Sequence, residues 1–282
     1  MTALALSIVI PTHGRPATVG ECLRRIEAQT ARERLEVIVV SDGPDGATAQ
    51  VVRGHSWAMP VQYLEIPKAQ QGAARNRGVR EALGARVLFI GDDIFLALDA
   101  CERHIAMHEG YPNAAILGFT TWDPAASITP VMHWLEQTGW QFGYPAIARY
   151  AGEPLPRAMQ HRFTYTSHVS VPRAIAAAHP FREDVTDYGW EDIAWGLDLA
   201  DAGVALVYEP RAAALHHHHL TLEESLRRMR TIGASAARMA ALDPRFDRVP
   251  TGWKLLAYRL LALLPTLRGR HARALLQGLG KS

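Results

Sequence analysis

Three short runs, LSIVI (6–10), VIVV (37–40) and VLFI (87–90), are apolar at consecutive positions and not merely at alternate ones. Side chains leave a strand alternately up and down, so a strand of this kind has to be covered on both faces. The intervening segments supply the covers. Residues 16–29 open with Pro16 and carry Cys22, Leu23 and Ile26 at helical spacing, which predicts a helix with proline in its first turn. Residues 71–83 predict a second helix, rich in arginine, and VQYLEI (61–66) alternates as an outer strand does. Strands separated by helices imply an α/β class with a mostly parallel central sheet flanked by helices.

Composition narrows the class further. With 48% hydrophobic and 21% charged residues in 282, the chain can build a real core, and an extended disordered protein is excluded. Cys22 and Cys101 lie far apart in predicted helices, so neither a disulfide framework nor a cysteine zinc site is expected, and a cytoplasmic location is the default. The start, MTALALSIVIPTHGR, lacks a basic stretch before its apolar run and reads as the first strand, not as a signal peptide.

Parallel sheets bind ligands beyond the carboxyl ends of their strands, beside a reversal in strand order. That rim here carries PTHGR after the first strand, SDG after the second and GDD after the fourth. Asp92 and Asp93 are adjacent like charges, which repel unless something positive lies beside them; Mg²⁺ or Mn²⁺, completed by phosphate oxygens, is one solution. An N-cap pair for a following helix is the structural alternative.

A second acidic site lies in YGWEDIAWGLDLADAG (188–203), where Glu191 and Asp192 fall in the first turn of a helix predicted over 191–201. A carboxylate there, beside Trp190, is suited to act as general base toward an alcohol. Between the two sites, TTWDPAASITPVMHWLEQTGWQFGYP reads as substrate-facing loops with one short helix near 131–137. FTYTSHVSV (163–171) and residues 204–208 read as strands. HHHH (216–219) follows the latter, and Thr221 precedes a helix whose first turn carries Glu223 and Glu224.

PTHGR, VVSDG, GAARNRGVREALGARVLFIGDDI and YGWEDIAWGLDLADAG, in this order over residues 6–220, resemble the motifs of family 2 glycosyltransferases. The resemblance implies a GT-A nucleotide-sugar-binding fold and metal-dependent, inverting transfer of a sugar from a nucleoside diphosphate to an acceptor hydroxyl. It implies that Pro11, Thr12, Arg15, Asp42, Arg75 and Asp92 serve the donor, that Asp93 and His216 hold Mn²⁺ or Mg²⁺, and that Asp192, beside Glu191, is the base. Trp122, Trp134, Trp140 and Trp190 are expected on the acceptor side. The family's metal motif usually begins with an acid where this chain has Gly91. A carbohydrate, lipid-linked or small-molecule acceptor is expected, and no nucleic acid. The expected organisation is a catalytic domain over 1–220, with a nucleotide-sugar half (1–118) and an acceptor half (119–220), followed by a helical basic extension over 221–282.

Rival readings fit less well. A dinucleotide-binding dehydrogenase needs G-x-G-x-x-G after the first strand, where this chain has PTHGRP, and a nucleotidyltransferase needs a glycine-rich first loop, where it has Gly14 alone. A non-catalytic sugar-nucleotide-binding or scaffold module is the remaining alternative, kept open by Gly91. From Arg248 onward there are seven cations and no acid, although the net charge is only +2, so the tail is expected to meet an anionic surface, a peripheral membrane contact at the inner face, or a second subunit. Its longest uncharged run is too short to span a bilayer.

Overall fold

The computed structural model describes residues 3–185 and 189–281, so Tyr188 at the head of the second acidic motif lies outside the described residues. The chain opens with β1 (Leu6–Thr12), α1 (Pro16–Glu27), β2 (Leu35–Asp42), α2 (Gly46–Arg53), β3 (Val61–Ile66), α3 (Gln70–Glu81) and β4 (Arg86–Ile90). It continues through β5 (Ile94–Leu96), α4 (Ala100–Gly110), β6 (Ala115–Trp122), α5 (Pro130–Thr138), α6 (Tyr144–Ile147), α7 (Arg157–Gln160), β7 (His168–Pro172) and α8 (Arg173–Ala178). The last elements are α9 (Glu191–Asp201), β8 (Leu206–His216), α10 (Leu222–Leu242), α11 (Gly252–Ala262) and α12 (Leu267–Gly278).

The strands form one eight-stranded sheet in the order β3-β2-β1-β4-β7-β6-β8-β5. β1 is paired in parallel with both β2 and β4, so the strand order reverses at β1 and opens a crevice beyond its carboxyl end. The consecutive apolar residues divide between the faces as expected. Leu6, Ile8 and Ile10 pack with Val19, Cys22, Leu23 and Ile26 of α1, while Val9 faces Ala74 and Val79 of α3 and shares a cluster with Trp195 and Leu199 of α9.

Several expectations change. The aromatic stretch FTYTSHVSV is a strand only from His168, because residues 161–163 form a tight helical turn whose Phe163 enters the core while the Tyr165 hydroxyl accepts from the Gly143 amide at 2.8 Å. β7 runs antiparallel to β4 and β6. The strand expected over 204–208 extends to His216, carried past a register shift between Gly118 and Phe119 by pairing with β6 and β5. Residues after Asp93 start β5 and not a helix, which removes the N-cap reading of the two aspartates.

The helices after residue 221 finish the body. Thr221 caps α10, its hydroxyl accepting from the Glu224 amide while the Glu224 carboxylate accepts from the Thr221 amide. Ala236, Met239 and Phe246 pack on Ile193, Ala194 and Leu197 of α9, and Arg245 reaches Asp198 at 2.7 Å and Asp201 at 2.5 Å. The beginning of α9 is thus covered by the tail.

Close approach of α3 to β1 depends on Gly78, where an added Cβ would lie 2.3 Å from a Val9 methyl. Alanine is ordinarily the better helix former by about 1 kcal/mol. Gly78→Ala is nevertheless expected to lower stability by roughly 1–3 kcal/mol through overpacking, with part of the loss recovered by adding Val9→Ala. Denaturant unfolding checks this, and a stabilised single variant would contradict the packing described.

Candidate active site

The turn after β4 places its two carboxylates in different surroundings. Asp92 is buried and accepts from the Thr12 hydroxyl at 2.7 Å and from the Arg15 guanidinium at 2.6 Å. Burial and, less strongly, neighbouring Asp93, opposed by Arg15, push its pKa up to about 6. Asp93 meets Arg15 at 3.1 Å, His216 at 3.5 Å and His218 at 3.8 Å. Burial alone would raise Asp93, but its contacts with His216 and the Arg15 guanidinium hold it below the usual carboxylate range. A side chain at Gly91 would come within 2.9 Å of the Asp93 carboxylate, which would have to shift to admit it.

His216 is delivered by the end of β8, opposite Ile94 on one side and Trp122 on the other. Its ring is stacked between the Trp122 indole, 5.1 Å away, and the His218 imidazole, 5.4 Å away, which fixes its orientation. Nδ1 of His216 is buried without a hydrogen-bond partner among the described residues. One donor atom from each of Asp93, His216 and His218 lies within 4.8 Å of the others, and a set of one carboxylate and two imidazoles suits Mn²⁺ better than an ion that takes oxygen alone.

The second acidic site faces this one. Glu191 and Asp192 occupy the first turn of α9, and Glu191 lies 3.5 Å from the guanidinium of buried Arg75. Asn76 holds the approach to α9 by donating to the Phe181 carbonyl at 2.8 Å and accepting from its amide at 2.8 Å. Desolvation and the neighbouring Glu191 charge, opposed by Arg75, raise the Asp192 pKa to about 7. Nε of Arg75 is buried with no hydrogen-bond partner among the described residues, while Nη1 faces Glu191 in the 3.5 Å ion pair, and Arg75 lines the space between the two sites where an anion would satisfy the spare donor.

A cavity of about 360 Å³ joins the two sites, lined by Pro11, Arg15, Arg75, Asp92, Asp93, Glu191, Asp192 and His216 of the expected residues. His218, which its spacing of two from His216 puts on the same side if the segment is extended, lines it too, and so does Arg228, which nothing local in the sequence marked. A second cavity, about 420 Å³, adjoins it and is lined by Trp140, Trp190, Arg228, Arg248 and Tyr258. Asp192 borders both. Trp122 lines a third, apolar cavity of about 310 Å³ that meets His216. Trp134 packs between Trp140 and His271, and Asp42 stands apart, accepting from the Ala69 amide at 2.6 Å and the Gln70 amide at 3.1 Å at the start of α3.

Residues 7–168 match the family model described as Glycosyl transferase family 2. Validoxylamine A glucosyltransferase of Streptomyces hygroscopicus subsp. jinggangensis is 26% identical over 243 residues, covering 78% of this chain and 57% of that protein. The uncharacterized glycosyltransferase YfnE of Bacillus subtilis is 23% identical over 255 residues, covering 76% of this chain and 64% of its own. The chain therefore spans less than two-thirds of the length of these curated relatives. Among solved structures, the mannosyltransferase PcManGT from Pyrobaculum calidifontis, in complex with GDP-Man and Mn²⁺, superimposes with a TM-score of 0.61 at 18% identity, covering 100% of this chain and 76% of that one. S. aureus TarS 1–349 in complex with UDP also gives a TM-score of 0.61, at 13% identity, with coverage of 98% and 90%. These likenesses establish a GT-A type fold. With more than half its length matched, from β1 to the first residue of β7, the chain belongs to glycosyl transferase family 2.

Proposed function

We propose that this chain moves a sugar from a nucleoside-diphosphate sugar to an acceptor hydroxyl, with inversion at the anomeric carbon and with a divalent cation at the β4 end. The observation that carries this reading is the position of Asp192, on the border between the cavity that holds the aspartates and histidines and the cavity lined by Trp140 and Trp190. The donor's diphosphate belongs in the first, where buried Arg75 has an unpartnered Nε. The acceptor belongs in the second. That GDP-Man with Mn²⁺ and UDP are bound by structurally similar proteins supports the donor class.

The chemistry follows from these placements. Asp192 takes the proton of the acceptor hydroxyl, and that oxygen bonds to the anomeric carbon while the bond from that carbon to the diphosphate oxygen breaks. Attack and departure on opposite faces in a single displacement invert the configuration and require no protein nucleophile. Arg75 lies toward the departing diphosphate, and Glu191 both pairs with Arg75 and keeps Asp192 basic enough to take a proton near neutral pH. Asp93, His216 and His218 would hold Mn²⁺ or Mg²⁺, which neutralises negative charge as it builds on the leaving group.

Titration calorimetry with UDP and GDP, each with and without Mn²⁺, tests the donor site. Binding of one nucleotide that depends on metal and weakens about 10–100-fold in Asp93→Ala and His218→Ala is expected. Failure of every nucleotide to bind, with metal present, would transfer the weight to a non-catalytic module.

The base makes a separate prediction. Because Asp192 works deprotonated, kcat/KM should fall as pH drops through about 7. Glu191→Gln removes a like charge, so the acidic limb should move to lower pH. Asp192→Asn should cost about 10²–10⁴ in kcat with nucleotide binding retained. A limb that stays in place in Glu191→Gln would separate the two carboxylates functionally and remove the assigned role of Glu191.

A further inference from the structure

Helix α11 is apolar on two sides. Leu255, Tyr258, Leu261 and Ala262 pack inward with Ala272 and Leu276 of α12. On the outside, Trp253 is 76% exposed, Leu256 59%, Leu260 58% and Leu263 76%, with Leu264 following at 47%. Successive helical residues are about 100° apart, so these five lie within an arc of roughly 100°. They account for most of the large apolar side chains left in water among the described residues. Scattered exposed leucines are ordinary, but a contiguous strip with a tryptophan at one end marks a surface that is covered in use.

The charges around the strip say by what. Lys254 and Arg259 are exposed and flank the arc on its two sides, Arg268 and Arg270 are exposed just beyond it, and no acid occurs from Arg248 to Lys281. A second copy meeting this face across a two-fold axis would set Lys254 and Arg259 against their own images, with no carboxylate in the segment to compensate. An anionic bilayer satisfies both halves of the pattern, taking the leucines and the indole into the acyl boundary and the cations among the headgroups. At 11 residues the helix is too short to cross a bilayer, so it lies in the plane of the surface.

We infer that α11 docks this protein on an anionic membrane surface through Trp253, Leu256, Leu260 and Leu263, with Lys254 and Arg259 at the headgroups. Tyr258, on the inner side of the same helix, lines the cavity bordered by Asp192, so docking brings that cavity alongside the bilayer. The inference does not depend on the transferase reading, since surface binding is measured without any substrate.

Flotation of the 282-residue chain with vesicles of equal parts phosphatidylglycerol and phosphatidylcholine, and with phosphatidylcholine vesicles alone, tests it. Binding to the mixed vesicles, weakened by salt and by Lys254→Glu with Arg259→Glu, is expected. Leu256→Glu with Leu260→Glu should lower partitioning at least about tenfold at an unchanged unfolding temperature, these being surface positions. Absence of binding to the mixed vesicles would overturn the inference, and so would equal, salt-independent binding to both kinds. Sedimentation velocity on the same samples covers the remaining occupant: a dimer that dissociates in the leucine variant without vesicle binding would assign the face to a second copy. If the leucine variant failed to fold, the salt and lipid dependence of the native chain would still decide.

Discussion

Two adjacent carboxylates can end a buried strand only where other parts of the chain bring positive or polar partners to them, and much of the architecture serves that requirement. Thr12 and Arg15 come from the end of β1 and the turn after it, His216 from the end of β8, and His218 from two residues beyond. β1 and β4 are neighbours in the sheet, whereas β8 is separated from β4 by β7 and β6 and meets the site through its pairing with the short β5 that follows Asp93. The β4 end is therefore where the parallel half of the sheet and its mixed half are joined electrostatically. The two aspartates also come to differ: Asp92 is raised by burial and Asp93 lowered by its contacts with His216 and Arg15.

The carboxylates of α9 depend on a different kind of support. Their helix is seated on the sheet by Trp195, whose ring stacks on Phe181 and meets Phe89 edge-on, and is covered from outside by α10 and the segment after it. Arg245 ties that segment to Asp198 and Asp201 of α9. The same tail contributes Arg228 and Tyr258 to the cavity beside Asp192. What reads as a basic extension is thus part of the wall of the candidate site, and its outward face is where the remaining apolar surface gathers.

Much of this was legible in the order of the residues. Consecutive apolar runs require two covered faces, and the clusters on either side of β1 meet that requirement residue by residue. Helices α1, α3 and α9 were legible from proline, periodicity and first-turn acids, each to within two residues at either end. Strands whose existence rests on pairing were harder. β8 ends in PRAAALH, with little β preference of its own, and extends to His216 because β6 and β5 supply the hydrogen bonds. The aromatic run before β7 has the composition of a strand and is instead a turn that packs Phe163 inward.

The chain's order of residues by itself determined the sheet class, the placing of PTHGR and GDD at the carboxyl ends of β1 and β4, and the acids at the start of α9, because periodicity and helix-end electrostatics act over a few neighbouring positions. Only the tertiary structure decided that His218 joins Asp93 and His216, that Asp42 turns to the start of α3, and that Asp192 stands between two cavities. Those outcomes depend on which strand ends lie side by side and on how far each group is removed from water, and both quantities exist only once distant segments have packed.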